Sequence, residues 1–125
     1  MVNRDNFPVI FAALKAILEP LAPPLIVGAD TAEQYSLNVP PSPAYPRYPQ
    51  GFFFGAVRVG KNYVSYHLMP VYMFPDLLEQ LSDPLKKRMQ GKSCFNFNVY
   101  DEAMVEELAR LTAAGVERFR QQQLR

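Results

Sequence analysis

His67 is the only histidine of this chain and Cys94 its only cysteine. An imidazole that titrates near neutrality can serve as a general base, a metal ligand or a pH switch. A thiol beside an imidazole can serve as a nucleophile. Each has a plainer reading: a strand histidine hydrogen-bonded to a neighbour, and a small half-buried thiol. No glycine-framed elbow surrounds Cys94, so a Cys–His hydrolase or transferase is the weaker reading. The dense basic segment is Lys86, Lys87, Arg88 and Lys92. Cations so spaced could hold phosphate or nucleic acid, but on an amphipathic helix they make a solvated face. Gly91-Lys92-Ser93 looks like the end of a phosphate-binding loop, yet Lys86 stands where the earlier glycine belongs. Asp101, Glu102, Glu106 and Glu107 offer oxygen ligands one helical turn apart, suited to iron or another hard cation. The same acids at a helix N-terminus would complement its dipole with no metal.

The broader candidate is a surface. Strand side chains alternate between faces, so the two faces can be sorted from the sequence. One face takes Tyr35, Leu37, Val39, Phe53, Val57, Val59, Val64, Tyr66, Leu68, Phe95, Phe97 and Val99. The other takes Gln34, Ser36, Asn38, Phe54, Ala56, Arg58, Tyr63, Ser65, His67, Cys94, Asn96 and Asn98. The first set is a core. The second mixes rings with hydroxyl, amide, imidazole and guanidinium groups, as a shallow binding surface does. The candidate ligand-binding residues are therefore Arg58, Tyr63, Ser65, His67, Asn96 and Asn98, with Lys92 at the rim. Tyr63 would stack, Arg58 and Lys92 would hold an anionic group, and the amides with His67 would orient it. A β-bulge near Gly55 would exchange the faces over half a strand.

The elements that must position these residues follow from periodicity and punctuation. Phe7, Ile10, Phe11, Leu14, Ile17 and Leu18 recur at helical spacing and predict a helix over Asn6–Glu19, with Asn6 at its start and Pro8 in its first turn. Pro20, Pro23 and Pro24 end it. Leu25–Ala29 is a short strand, Asp30–Glu33 a turn, and Gln34–Val39 a strand with one buried face. Pro40–Gln50 holds five prolines and predicts a stiff surface loop, with Tyr45 and Tyr48 packed on the domain edge. Phe52–Val59 and Asn62–Met69 flank Gly60-Lys61 as a hairpin. A short helix is expected over Pro75–Leu81 and another from Ser82 or Asp83 to Gln90, with Gly91 as its left-handed end. Ser93–Val99 is the last strand. Asp101 caps a final helix over Glu102–Phe119, with Met104, Leu108, Leu111, Val116 and Phe119 inward, Glu106 and Arg110 as an i,i+4 pair, and Gln121–Gln123 frayed. No strand–helix alternation runs through this order. It predicts an α+β fold: a mostly antiparallel five-stranded sheet with helices packed on one face.

Composition bounds the function. The chain has 125 residues, 49% hydrophobic and 20% charged, with 13 Lys+Arg against 12 Asp+Glu and a net charge of +1. One domain spanning 1–125 is expected, and the balance argues against a surface devoted to nucleic acid. One cysteine excludes an internal disulfide. The N-terminal MVNRDNFPVI lacks signal-peptide features, and no apolar run reaches membrane-spanning length. A cytoplasmic location without a membrane partner is the expectation.

Two segments carry a resemblance. FGAVRVGKNYVSYHLMPVY (Phe54–Tyr72) and LKKRMQGKSCFNF (Leu85–Phe97) resemble the YdhG-like family of small bacterial domains, over roughly Tyr35–Leu111. The more specific parts are Lys61-Asn62-Tyr63-Val64-Ser65 with His67, and Gly91-Lys92-Ser93-Cys94-Phe95-Asn96-Phe97. The resemblance implies an α+β, frataxin-like sandwich and no catalytic residues. Some members are described as frataxin-like intracellular iron chaperones, a role for which the acids Asp101–Glu107 would have to serve here. The leading expectation is a non-catalytic binding module presenting its polar-aromatic sheet face to a small anionic ligand or a protein partner. The alternatives are iron binding and self-association through that face into a homodimer.

Overall fold

The structure, a computed structural model, describes residues 4–43 and 45–123. The N-terminal residues Met1–Asn3 and Ala44 of the proline-rich loop, on which two of the expectations above partly fall, lie outside the described residues.

Helix α1 spans Phe7–Leu18, with Pro8 in its first turn. Asn6 precedes it as expected but makes no side-chain cap bond; its carbonyl accepts from the Ile10 N–H at 2.9 Å. Phe7, Ile10, Phe11, Leu14 and Leu18 are buried, the face their spacing defines. A 3₁₀ turn, Glu19–Leu21, leads through Pro23 and Pro24 into strand β1, Ile26–Asp30. Thr31 makes the next turn, its hydroxyl accepting from the N–H groups of Glu33 and Gln34. Strand β2, Gln34–Val39, buries Tyr35, Leu37 and Val39. Strand β3, Phe52–Val59, and strand β4, Val64–Leu68, form the hairpin, closed where the Gly60 N–H donates to the Tyr63 carbonyl at 2.8 Å.

Two short helices follow, α2 at Met69–Met73 and α3 at Asp83–Lys86, with a 3₁₀ segment Pro75–Gln80 between them. The Ser82 hydroxyl accepts from the Leu85 N–H at 3.3 Å and caps α3. Here the structure corrects the expected helix to Gln90. The Arg88 carbonyl accepts from the Asn96 N–H at 2.8 Å, so the backbone finds its partners in a neighbouring strand. Met89–Gln90 is strand β5, beside β6 at Cys94–Phe97. Gly91 has the expected positive φ, in the turn between these strands. The sheet therefore has six antiparallel strands, not five, in the order β1-β2-β3-β4-β6-β5. Helix α4 runs over Glu102–Gln123. The Asp101 carboxylate accepts from the Met104 N–H at 3.1 Å and caps it as expected. The helix passes the expected end at Phe119 and continues through Gln121–Gln123, where neither glycine nor proline stands to end it. Glu106 and Arg110 form no ion pair among the described residues; the α4 pair is Glu117–Arg120.

One cluster of buried side chains joins α1, α4 and the inner sheet face. Three positions depart from the alternation read in the sequence. The β2–β3 register slips between Leu37, opposite Gly55, and Asn38, opposite Phe53. Phe54 is the extra residue of this bulge, and it turns inward to 1% exposure, while Phe53 shares the outer face with Asn38. The assignments of Phe53 and Phe54 are thus exchanged. Val99 is 51% exposed because β6 ends at Phe97. Inside the core, the Tyr66 and Thr112 hydroxyls pair at 2.6 Å, which removes the penalty of burying either. No helix among the described residues is long and apolar enough to cross a membrane.

Candidate functional site

The outer face of the sheet is a ladder of polar side chains held by strand register. Arg58 stands opposite Ser65, and Ser65 opposite Asn96. In the adjacent row Ser36 faces Ala56, Ala56 faces His67, His67 faces Cys94, and Cys94 faces Gln90. Because the Leu68 N–H donates to the Ser93 carbonyl, the Ser65–Asn96 and His67–Cys94 positions are the closer, non-hydrogen-bonded kind, with Cα atoms about 4.5 Å apart. The side chains use that proximity. The Ser65 hydroxyl donates to Asn96 Oδ1 at 2.8 Å, and the Cys94 thiol to the same oxygen at 3.4 Å. Asn96 Nδ2 donates to Gln90 Oε1 at 2.6 Å. Three neighbours on three strands therefore orient one amide, which keeps a second Nδ2 N–H beyond the one given to Gln90.

Arg58 is exposed and forms no ion pair among the described residues. Next to it, the imidazole of His67 is held below its ordinary pKa, first by desolvation and then by the Arg58 guanidinium. Burial pushes the Cys94 thiol up, against a smaller opposing effect of Ser65. His67 and Cys94 thus stand opposite each other, but both are biased towards their neutral forms. The thiolate that a nucleophilic cysteine needs is disfavoured by that burial.

An imidazole titration followed by NMR is expected to give His67 a midpoint below the ordinary value of about 6.5. Arg58→Gln is expected to raise it part of the way back, since desolvation is the larger cause. The sign for stability follows: the depressed folded pKa gives a contribution that is complete above the unfolded value and is lost as pH falls through the folded one. A midpoint at or above the ordinary value would contradict this description of the face.

The expected site residues divide. Arg58, Ser65, His67 and Asn96 are brought together. Tyr63 is 43% exposed in the β3–β4 turn, and Asn98 lies in a bend beyond the end of β6. Lys92 sits in the β5–β6 turn, where it lines a cavity of about 590 Å³ with Val71, Tyr72 and Met89. It is not part of the Arg58 row. Sequence reasoning missed Gln90 and Arg88, because both fell in a segment read as helix. It did place Cys94 on the correct face.

Two of the acids proposed for iron are used otherwise. Asp101 caps α4, and the Glu107 carboxylate accepts from both the N–H and the hydroxyl of Ser82, each at 2.6 Å. Among the described residues no group of three His, Cys, Asp or Glu side chains is arranged to hold a metal ion, so this donor set does not fit an iron site.

The fold and this face define an α+β protein with an antiparallel sheet whose outer surface carries an ordered polar ladder. No protein-family model, curated protein or solved structure matches the chain.

Proposed function

We propose that this chain is a non-catalytic binding module of the YdhG-like kind, acting in the cytoplasm, that receives an acidic, extended segment of a protein partner on its outer sheet face. The observation that carries the reading is the guanidinium of Arg58, without an ion pair among the described residues, in line with an amide that three strands hold in place. Charge supports it further. Gln34, Ser36, Asn38, Phe53, Ala56, Arg58, Ser65, His67, Gln90, Cys94 and Asn96 occupy this face, and none is acidic. Arg88 stands at the register position beside Asn96, its carbonyl bonded to the Asn96 N–H.

Arg58 and Arg88 are three strand spacings apart, about 14 Å. An extended chain rises about 3.3 Å per residue, so carboxylates four positions apart match that span and project from one side. Three cavities of about 340, 350 and 590 Å³ lie off this face. A broad exposed surface suits an extended partner better than an enclosed small molecule. The single thiol suits a reducing compartment.

The test is a fluorescence titration with a synthetic extended peptide carrying glutamates four positions apart, against its glutamine counterpart. Binding is expected for the first, weakened by salt. Arg58→Gln is expected to reduce it about tenfold, as loss of a charge-assisted bond does. Equal affinity for both peptides, or no effect of Arg58→Gln, would end this reading.

A further inference from the structure

A second site lies away from the polar ladder, at the opposite layer of the molecule. Its walls are Pro23, Leu25 and Pro40, its apolar depth is Phe54 and Phe119, and Arg120 stands on it from α4; the cavity is about 350 Å³. That volume lies within the range of about 300–1,000 Å³ typical of small-molecule sites. Four of its lining residues are prolines: Pro20, Pro23, Pro24 and Pro40. Their backbones have little freedom left to lose when a ligand enters. The buried bulge residue Phe54 and the α4 residue Phe119 lie with ring centroids 5.8 Å apart.

Of the described residues lining the cavity, only Arg120 is charged. Its ion pair with Glu117 is 3.6 Å long, and both side chains are more than half exposed. Such a pair holds weakly. The guanidinium is therefore free to exchange Glu117 for another carboxylate, which it can grip with two parallel N–H donors. An apolar chamber with a single cation matches a ligand with one hydrocarbon end and one acidic end.

We propose that this cavity binds a small apolar monocarboxylate, its hydrocarbon part against Phe54 and Phe119 and its carboxylate on Arg120. The proposal is independent of the partner reading of the sheet face.

The test uses the full chain and two probes of equal length, octanoate and octanol, followed by amide NMR. Octanoate is expected to give saturable shifts at Leu21, Leu25, Val39 and Phe119. Octanol is expected to bind at the same place about tenfold more weakly, the difference one charge-assisted pair makes. Arg120→Gln is expected to bring octanoate down to the level of octanol. Val116→Trp, which places an indole in the chamber, is expected to abolish both when its melting temperature matches the parent's; if that variant unfolds, the Arg120→Gln comparison decides. Absence of saturable shifts at these residues would overturn the proposal, as would equal binding of the two probes to the parent protein.

Discussion

Phe119→Ala is expected to lower the melting temperature by about 10–20 °C, the shift that follows from a loss of about 3–5 kcal/mol in a chain of this size. Phe119 is 5% exposed. Its ring meets four others, Tyr45, Phe52, Phe54 and Phe74, with centroids 5.6–6.0 Å away. These rings come from the proline-rich loop, β3 and the segment after α2, so Phe119 is where α4 is joined to three otherwise separate parts of the chain. Its backbone carbonyl also accepts from the Tyr45 hydroxyl at 3.5 Å. Truncation would remove the ring, enlarge an existing cavity and leave the loop with fewer contacts. Phe119→Leu is expected to fall between alanine and the parent. A thermal melt followed by circular dichroism measures this, and a shift of only a few degrees for alanine would show that the loop and α4 are not joined there.

Gly51→Ala is the second large effect. Gly51 has φ +88°, and a Cβ placed on it would lie 2.2 Å from the Val39 carbonyl oxygen. Two penalties combine: left-handed strain of about 1–2 kcal/mol and a backbone clash that only movement of β2 against β3 can relieve. The sum is expected to be about 2–4 kcal/mol. Gly91 supplies the control. It has φ +78°, but nothing lies within 4 Å of its notional Cβ, so Gly91→Ala is expected to show the strain alone. Urea unfolding of the two variants separates the contributions; equal losses would mean that the clash at Gly51 is relieved without consequence.

Much of the sheet was legible in the sequence because β2, β4 and β6 alternate cleanly. Tyr35, Leu37, Val64, Tyr66, Phe95 and Phe97 are buried as their spacing requires. β3 was legible only in part. Phe52, Phe53 and Phe54 are all apolar, so alternation cannot say which one points inward, and the bulge that selects Phe54 arises from pairing with β2. β5 was not legible at all. Two residues carry no period, and Met89–Gln90 becomes a strand only by pairing with β6. That tertiary event also hid Arg88 and Gln90 from the candidate site. Ser65 and Asn96 stand opposite each other because both lie on clean strands, whereas Lys92 lies in the turn before β6 and Asn98 in the bend after it, where no strand register orders them. The capping role of Asp101 follows a local rule and was read correctly, and the choice left open between Ser82 and Asp83 falls to Ser82; the seizure of Ser82 by Glu107 joins positions 25 residues apart and could not be read.

The central claim is that the outer sheet face, and within it the row from Arg58 to Asn96, is the binding surface. The most direct measurement is an amide NMR map of the parent protein during titration with the glutamate peptide. The account predicts that the shifts concentrate on β3, β4, β6 and β5, at Arg58, Ser65, His67, Gln90 and Asn96, and that Arg58→Gln suppresses them. Shifts confined to the proline-walled cavity or to the helices, with this row unmoved, would contradict it.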